Sequence, residues 1–533
     1  MQNTQLALRF ALPTVLLAIA PLAPASFATT SAPVTTAATP ALAGTPGIGD
    51  YNVLVIMLDD LGTDRLQMYR ENLTAGITPN LDTLWARGIQ FTNAYVNPVC
   101  SPSRAALMTG RYGFRTGIGV QINEGDPNPY GLPDEELFAS ELLRDATAGA
   151  YACGAFGKWH LSVATGDDCH AGANGFERYR VQVGNVSNHY RWTQIVEDVN
   201  DPRDCAQVDY PLPGETDPYS TNTWNASVAR KDAVDWIKNE LPAGQPFFAY
   251  YAPNPPHMPQ QVPPNELLSR DSRLTLLDVG YAPGDFPTRR HKKLVHEYMI
   301  EAVDSDIGLL LDPSVGIPQN VLDDTMVIVI GDNGTEALMV ESPQDPRHAK
   351  RTLYQLGVRV PMVVAGPLVQ PQHYASKCHA LVDGVDVWRT AGRIAGLSDT
   401  DIDDYVDAEF PGVSHPIDGL SLLDLIDDPT IAGPRAHAYS ESFPNGAPPP
   451  GQSGHARMVS NGTYKYIRKA TYPDEELYDV ATDPDETDDI LTHGSLTTDE
   501  TAALCELRAK MKSLSGGQGC VGPHQPGFGR VRK

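Results

Sequence analysis

Positive charge is scarce in this sequence. Its 533 residues include 40 lysines and arginines against 66 aspartates and glutamates, which gives a formal net charge of −26. Because phosphate groups need a basic surface, this balance argues against nucleic acid as a partner. The acidic surface also offers no general attraction to anions, so an anionic substrate has to be held by a few local cations.

Cysteine and long apolar runs are also rare. Seven cysteines cannot all pair within one chain, although export would permit disulfides among the others. The long apolar run is Phe10–Ala20, which follows Arg9 and precedes a small-residue cleavage pattern at Ser26–Ala28. Several prolines oppose a membrane-spanning helix here, so we interpret residues 1–28 as an export signal that is removed. The Ala-, Thr- and Pro-rich residues 29–48 are then a linker, and we expect a periplasmic or secreted protein without a membrane anchor.

Four short apolar runs end abruptly in ionisable or amide side chains. They are Asn52–Leu58 before Asp59 and Asp60, Ala150–Phe156 before Lys158 and His160, Pro246–Pro253 before His257, and Thr325–Ile330 before Asp332 and Asn333. Such runs are typical of strands that are buried on both faces. Helical patterns such as His291–Leu311 lie between them. The sequence therefore predicts an α/β fold with a large mixed, mostly parallel sheet and helices on both faces.

The polar residues at these strand ends predict a metal site. In a parallel sheet the carboxyl ends of the strands meet at one edge, where ligands bind. Asp59, Asp60, Asp332 and Asn333 offer only carboxylate and amide oxygens, and no Cys-x-x-Cys or His-Glu-x-x-His motif accompanies them. Oxygen-only sites suit Ca²⁺ or Mg²⁺ and are poor for Zn²⁺. We expect one divalent cation, with Ca²⁺ favoured and Mg²⁺ as the alternative.

Basic side chains accompany the predicted metal site. They are Arg104, Lys158, His160, His257 and Lys350. Each of them alone is most simply explained as a surface, loop or structural residue. Together, beside a divalent cation, they predict a cationic pocket that holds a tetrahedral oxyanion.

Cys100 stands in the stretch NPVCSPSRAALMTGR, just ahead of a predicted helix. Pro102 suits the first turn of that helix and Gly110 suits its end. Cys100 therefore lies at a helix N-terminus, where a thiolate is favoured. Two observations weaken a thiolate: Arg104 is not at the Cys-x5-Arg spacing of tyrosine phosphatases, and sulfur suits an oxygen-preferring cation poorly. The alternatives to a thiolate are a disulfide and the conversion of Cys100 to another chemical group.

The segment Cys100–Arg111, CSPSRAALMTGR, resembles the signature of the sulfatase family, Cys-x-Pro-Ser-Arg followed by Thr-Gly-Arg. In that family, which is arylsulfatase-like and belongs to the alkaline phosphatase superfamily, a formylglycine-generating enzyme oxidises the cysteine to Cα-formylglycine. The hydrate of this aldehyde is the nucleophile and a metal ligand. The resemblance extends over about Tyr51–Ile490 and includes VLVIMLDDLG, GKWHL, PPHMP and IGDNG.

The resemblance implies a role for each candidate residue. Metal ligation falls to Asp59, Asp60, Cys100, Asp332 and Asn333, and the catalytic roles fall to Cys100, Arg104, Lys158, His160, His257 and Lys350. Asp332 would take the proton of the attacking hydroxyl, and Lys350 with His257 would protonate the leaving alcohol. His160 would then deprotonate the second hydroxyl of the hydrate. Arg104 and Lys158 would stabilise the hydrate and its negative charge.

The implied function is that of an exported sulfatase, a sulfuric ester hydrolase that converts an aryl or carbohydrate sulfate to an alcohol and inorganic sulfate. The nearest alternative is a phosphonate or phosphate monoester hydrolase of the same superfamily, and the oxygen-only metal set favours sulfate. An inactive, sulfatase-like binding protein would be expected to lack nucleophile or ligand positions, and none is missing. The chain departs from the family at Gln355–Gly357, where Glu-Gly-Gly is usual.

The resemblance also divides the chain. Residues 49–432 would form the catalytic domain, and residues 433–533 a smaller C-terminal subdomain with a short antiparallel sheet and a helix at Thr498–Leu514. The insert Ser162–Thr223, rich in aromatic and polar residues, is a candidate wall of the substrate pocket. The other histidines that we weighed, expected at the surface or in loops, are His189, His291, His296 and His348.

Overall fold

We describe the fold from a computed structural model of the chain. It describes residues 51–69, 78–123, 130–163, 169–198, 200–446, 455–469 and 475–515. The predicted export signal and linker, residues 1–48, lie outside the described residues and stay predictions. None of the described helices is long and apolar enough to cross a membrane.

Among the described residues, the larger of two sheets has ten strands. They are β1 (Asn52–Leu58), β2 (Gly88–Tyr95), β3 (Ala152–Lys158), β4 (Arg178–Gln182), β5 (Thr193–Asp198), β6 (Asp201–Asp209), β7 (Phe247–Ala252), β8 (Thr325–Gly331), β9 (Arg359–Ala365) and β10 (Ser376–Asp383). Their order across the sheet is β10-β2-β9-β8-β1-β7-β3-β4-β5-β6. Only β5 and β9 run antiparallel to their neighbours, so the sheet is mixed and mostly parallel, as predicted.

Both faces of this sheet are covered. In β1, the side chains of Val53, Val55 and Met57 enter one apolar core, and those of Leu54, Ile56 and Leu58 enter the other. All six are fully buried. Successive side chains of a strand point to opposite faces, so this alternation shows that packed layers lie on both sides of β1.

Helices supply these layers. Those around the large sheet are α1 (Pro79–Trp85), α2 (Cys100–Thr109), α3 (Gly113–Thr116), α4 (Ala139–Ala146), α5 (His170–Ala173), α6 (Asn225–Asp235), α7 (Arg270–Asp278), α8 (Lys292–Leu311), α9 (Gln319–Leu322), α10 (Gln355–Val358), α11 (Asp386–Ile394), α12 (Asp399–Glu409) and α13 (Leu423–Asp427). The helix predicted at His291–Leu311 is observed as α8. The expectation that His296 lies at the surface or in a loop is wrong: it is buried on α8, because helical spacing places it beside the buried Met299 and Ile300.

The insert Ser162–Thr223 extends the large sheet rather than forming a separate unit. Strand β4 pairs with β3 in parallel, and β5 and β6 continue the sheet as an antiparallel hairpin. A disulfide between Cys169 and Cys205 joins the segment before α5 to β6. Since β4 is paired directly with β3, the insert is anchored next to the strand that ends at Lys158.

The smaller sheet has four antiparallel strands. They are β11 (Ala438–Ser442), β12 (Ala456–Ser460), β13 (Tyr464–Arg468) and β14 (Glu475–Asp479), and they are followed by α14 (Thr498–Ser515). Leu504 and Leu507 of α14 pack in one cluster with Val459 and Tyr466 of the sheet. The predicted small antiparallel sheet and its helix are therefore present, while the domain limits at residues 49, 432 and 433 stay predictions.

Candidate active site

The carboxyl ends of four parallel strands form the candidate site. Strands β8, β1, β7 and β3 are neighbours, so the polar residues that follow them lie side by side. Asp60 has a φ of 60°, and His160 has a φ of 58°. These left-handed conformations are unfavourable for residues with a side chain, and they turn the chain sharply just after β1 and β3.

Buried oxygen atoms converge at this edge of the sheet. Oδ1 of Asp59, Oδ2 of Asp60 and Oδ1 of Asn333 have no hydrogen-bond partner among the described residues. Asp59, Asp60 and His257 each place one ligand atom within 4.8 Å of the others. Buried oxygens without partners are costly, and a divalent cation would satisfy them, so this donor set fits an oxygen-preferring cation.

Asp332 belongs to the same network. One of its oxygens, Oδ1, accepts a hydrogen bond from the backbone N–H of Asp60 at 3.1 Å. Burial, with the negative charge of Asp59 nearby, raises the pKa of Asp332 to about 6. Burial also tends to raise the pKa of Asp60, but Lys350 and His257 outweigh it and hold that pKa well below its usual range.

Three cations balance the carboxylates. Nζ of Lys158 donates to Oδ2 of Asp59 at 2.6 Å, and Nζ of Lys350 donates to Oδ1 of Asp60. The guanidinium of Arg104 donates to Oδ2 of Asp332 at 2.7 Å. Burial lowers the pKa of Lys350, but Asp60 outweighs it and the pKa lies above its usual value, so this lysine stays charged.

Cys100 is the first residue of α2, and Sγ lies 3.2 Å from Nδ1 of His160. Burial raises the pKa of the Cys100 thiol, which opposes a resting thiolate. Within the described ranges of the chain, Cys100 forms no disulfide. Both of the roles that sequence analysis considered for an unmodified cysteine, thiolate and disulfide, are therefore disfavoured by its surroundings.

His160 is oriented by its second ring nitrogen. Nε2 lies 2.8 Å from the backbone oxygen of Ile122, which can only accept a hydrogen bond. Burial, together with the charges of Lys158 and Arg104, holds the pKa of His160 well below its usual value. A neutral imidazole whose Nε2–H is donated to Ile122 presents the lone pair of Nδ1 to residue 100, which is the arrangement of a proton acceptor.

His257 lies in the loop after β7, and His189 of the insert holds that loop. Nε2 of His257 is 3.7 Å from Oδ2 of Asp60, and Nδ1 is 2.7 Å from the backbone oxygen of Met258. Nε2 of His189 lies 3.1 Å from the backbone oxygen of His257 and 3.0 Å from that of Pro259. His189 lies in a loop, as expected, but it is fully buried rather than at the surface.

The structure brings together all the residues that sequence analysis selected. One set of residues is connected by hydrogen bonds and close ion contacts: Asp59, Asp60, Arg104, Lys158, His257, Asp332, Asn333 and Lys350. Cys100 contacts His160, and these two residues are linked to the set through α2, which also carries Arg104, and through β3, which ends at Lys158. Sequence reasoning missed Tyr250, whose hydroxyl accepts from Arg104 at 2.9 Å, and the supporting role of His189. Tyr250 sits within an apolar strand and His189 within a variable insert, so neither carried a local signal.

Buried carboxylates and cations at the carboxyl edge of a parallel sheet are an arrangement that can hold a metal ion and an oxyanion together. The profile of the family described as Sulfatase matches residues 51–397, more than half of the chain. The chain belongs to the sulfatase family. The sequence prediction of the family and that of the fold class are thereby confirmed.

Two curated relatives and one solved structure illustrate the similarity. N-acetylgalactosamine-6-sulfatase of Sus scrofa is 30% identical over 391 residues, which cover 70% of this chain and 65% of that protein. Arylsulfatase A of Homo sapiens is 29% identical over 391 residues, which cover 70% of this chain and 67% of that protein. A structure of a protein in complex with its substrate D-glucosamine-2-N,6-O-disulfate has a TM-score of 0.60 and 18% identity, covering 87% of this chain and 98% of that one. The chain thus spans just under two thirds of the N-acetylgalactosamine-6-sulfatase, and the likeness to the solved structure concerns the fold.

Proposed function

We propose that this protein is an exported sulfatase that hydrolyses a sulfate monoester of an aryl or carbohydrate alcohol, releasing the alcohol and inorganic sulfate. The observation that carries the proposal is the position of Cys100. Its Sγ lies at the start of α2, 3.2 Å from the neutral nitrogen of His160, beside the buried oxygens of Asp59 and Asp60. Family membership supports the same reaction.

The cation is proposed to be a single Ca²⁺, with Mg²⁺ as the alternative. Asp59, Asp60, Asp332, Asn333 and an oxygen on residue 100 would hold it, and the unpartnered oxygens described above support this set. When bound, the cation supplies Lewis-acid stabilisation of a sulfate oxygen and a lower pKa for the nucleophile. His257 lies close enough to the ligand oxygens to contribute Nε2 to the same site.

Conversion of Cys100 to formylglycine is the second part of the proposal, and a formylglycine-generating enzyme is the proposed partner in maturation. When formed, the hydrated aldehyde supplies one hydroxyl for attack on sulfur and a second that remains for release of sulfate. The resting thiol lacks these oxygens, and its raised pKa makes it a poor nucleophile at neutral pH.

The protein's own residues then hold charge and move protons. Asp332, whose Oδ1 and Oδ2 accept hydrogen bonds from Asp60 and Arg104, accepts the proton of the attacking hydroxyl. Nδ1 of His160 accepts the proton of the second hydroxyl, because its Nε2–H is committed to Ile122. Lys158 and Arg104 place positive charge beside residue 100 and hold the developing negative charge.

The leaving alcohol is proposed to depart on the side of Lys350 and His257. Lys350 is charged and buried, so it can hold a sulfate oxygen and donate a proton from Nζ to the leaving oxygen. His257 is fixed through Nδ1 by the backbone oxygen of Met258, which leaves Nε2 directed to the site. Burial keeps the pKa of His257 well below its usual value, so Lys350 is the principal proton donor in this scheme.

The first test measures both the modification and the reaction. Mature protein purified from a host that contains a formylglycine-generating enzyme is digested, and the peptide containing residue 100 is weighed; the aldehyde lowers its mass by about 18 Da relative to cysteine. The same preparation is assayed with nitrophenyl sulfate and nitrophenyl phosphate. Conversion together with a preference for the sulfate ester supports the proposal. Unmodified cysteine in an active enzyme would refute the nucleophile, and a preference for phosphate would favour the phosphate or phosphonate monoester alternative.

A further inference from the structure

Ser101 is a fully buried residue of α2 to which the proposed mechanism gives no role. It directly follows Cys100 in the chain. Its Oγ accepts a hydrogen bond from the backbone N–H of Ile122 at 3.0 Å. The backbone oxygen of the same Ile122 lies 2.8 Å from Nε2 of His160. We propose that Ser101 is a positioning residue, which holds Ile122 so that Ile122 orients His160 for the proton transfer that releases sulfate.

These contacts close a ring that begins and ends on α2. Sγ of Cys100 lies 3.2 Å from Nδ1 of His160, and Nε2 of that imidazole faces the oxygen of Ile122. The N–H of Ile122 returns to Oγ of Ser101, and a peptide bond joins Ser101 to Cys100. The imidazole of His160 is therefore held from α2 at both nitrogens: at Nδ1 by residue 100, and at Nε2 by residue 101 through Ile122.

The backbone alone does not decide how the imidazole of His160 is turned. The N–H of His160 donates to the backbone oxygen of Val183 at 2.7 Å, which places the residue but leaves its ring free to rotate. The terminal torsion of a histidine is broad and roughly two-fold, and either nitrogen of a neutral imidazole can carry the proton. Because a backbone oxygen only accepts, the oxygen of Ile122 selects the ring orientation and the tautomer in which Nε2 is protonated.

The position of the Ile122 oxygen depends in turn on the N–H of Ile122, since both groups flank one α-carbon. Ser101, Ile122 and His160 are all buried. A backbone N–H that is buried away from water requires a protein partner, and Oγ of Ser101 is that partner here. Without this oxygen the N–H turns toward another acceptor and the adjoining carbonyl group moves with it. His160 then loses the group that selects its tautomer.

The segment that precedes Ile122 is held independently by the segment that follows β11. Oδ1 of Asn445 accepts hydrogen bonds from the backbone N–H groups of Gly119 and Val120, both at 2.9 Å. Removal of the Ser101 hydroxyl should therefore displace Ile122 locally without releasing the rest of the segment. Asn445 supports the same carbonyl group from a distance of two to three residues along the chain.

The first test needs neither the modification of Cys100 nor a substrate. The full chain is produced in a host without a formylglycine-generating enzyme, with its histidines labelled with ¹⁵N. NMR spectra then distinguish protonated from unprotonated ring nitrogens, and the signals of His160 are identified by their absence in His160→Asn. We expect the wild type to show His160 with Nε2 protonated and Nδ1 unprotonated, and Ser101→Ala to populate both tautomers.

Thr390→Val is the matched control. Thr390 is also fully buried on a helix, α11, and its Oγ1 accepts the backbone N–H of Leu422 at 3.0 Å. The substitution removes a hydroxyl of the same kind but leaves the ring of contacts around His160 in place. Both variants should unfold at a lower urea concentration than the wild type, whereas only Ser101→Ala should change the His160 signals.

The second test is kinetic and rests on the proposed sulfatase activity. The matured wild type, Ser101→Ala and Thr390→Val are assayed with nitrophenyl sulfate, after the mass of the peptide with residue 100 has shown equal conversion. In the proposed scheme His160 acts after the alcohol has left, so Ser101→Ala should slow sulfate release about 10- to 100-fold. A burst of nitrophenol equal to the enzyme concentration should then precede a slow steady rate.

The steady-state constants should separate in the same way. In Ser101→Ala, kcat and KM should fall together while kcat/KM, which reports the steps up to alcohol release, should change little. Enzyme quenched during turnover should yield the peptide with residue 100 carrying an additional SO₃ group. Thr390→Val should show neither the burst nor the heavier peptide.

The outcomes separate the inference from the proposed function. A matured wild type that cleaves no sulfate ester refutes the proposed function and leaves the NMR result to decide the role of Ser101. Unchanged His160 signals in Ser101→Ala, or equal losses of kcat and kcat/KM without a burst, would show that Ser101 is a structural residue. A protonated Nδ1 in the wild type refutes the inference without any variant.

A second variant covers the case in which Ser101→Ala does not fold. Asn445→Ala removes the other support of the segment that carries Ile122, and it should also populate both tautomers of His160. If Asn445→Ala alone can be prepared and keeps the wild-type tautomer, the inference is refuted. If Ser101→Ala folds but is not matured, the NMR comparison with Thr390→Val decides.

Discussion

His189 gives the sharpest quantitative prediction for stability. Its imidazole is fully buried, and Nε2 contacts the backbone oxygens of His257 and Pro259. Burial lowers the pKa of His189 from 6.5 to about 4. The folded protein thus excludes a proton that the unfolded chain binds readily, and acid should destabilise the fold through this residue.

The sign and size of the effect follow from linkage. Because the folded pKa lies below the unfolded one, the contribution of His189 to stability is complete above pH 6.5 and is lost as the pH falls toward 4. Between pH 7.5 and pH 4.5 the free energy of unfolding should fall by about 2–3 kcal/mol through His189 alone. His189→Gln removes the titrating imidazole and keeps an N–H donor for the two carbonyl oxygens. Between pH 7.5 and pH 4.5, the free energy of unfolding of this variant should therefore fall by about 2–3 kcal/mol less than that of the wild type.

The assay is urea unfolding of wild-type and variant proteins between pH 7.5 and pH 4.5 at constant ionic strength. His379→Gln is the matched control, because it makes the same substitution at an exposed histidine. Parallel curves for His189→Gln and the wild type would refute the argument, since they would show that His189 binds its proton equally well in both states.

Four further results are expected at the site. Cys100→Ser should form at most a stalled covalent sulfate, visible by mass spectrometry after incubation with substrate, and wild-type turnover by this variant would contradict the mechanism. His160→Asn should lower kcat by about 10²- to 10⁴-fold, because the proton acceptor at residue 100 is lost, and a pH–rate profile would detect the change. Arg104→Ala leaves the buried carboxylate of Asp332 without its 2.7 Å partner and should cost about 3–5 kcal/mol, measured by urea unfolding; a loss below 1 kcal/mol would contradict this pairing. Adding Ca²⁺ to chelator-treated protein should raise Tm, with about 2.7 kcal/mol of stabilisation at one hundred times Kd, and no shift with either Ca²⁺ or Mg²⁺ would argue against the cation site.

The charges at the site explain why its residues have to act together. Asp59, Asp60 and Asp332 are buried side by side, and each of them contacts one of the cations Lys158, Lys350 or Arg104. Removing one member of a buried pair leaves an uncompensated charge, which costs more than the pair contributes. Substitutions here are therefore expected to affect folding as well as catalysis, and activity losses should be read beside unfolding data.

Local sequence determined the parts of this protein that depend on neighbouring residues. Apolar runs that end in Asp59, Lys158, His257 and Asp332 were sufficient to predict a mostly parallel sheet with a polar edge, since strand burial and the chemistry at a strand end are both written in consecutive positions. The stretch that begins at Cys100 likewise carried the family resemblance within a few residues.

Only the tertiary structure decided the features that depend on distant segments. His189 looks like an ordinary polar residue of an insert, and it gains meaning because the fold brings the insert against the loop that carries His257. The prediction that His296 lies at the surface or in a loop was wrong because of long-range packing. The helical period shows that one face of α8 is buried, but the elements packed against the helix decide how wide that face is. The position of Tyr250 against Arg104 also arises from separate elements, a strand and a helix that meet only in the fold. Sequence thus specified the chemistry available to this protein, whereas long-range packing set the distances, the burial and therefore the pKa values at which that chemistry works.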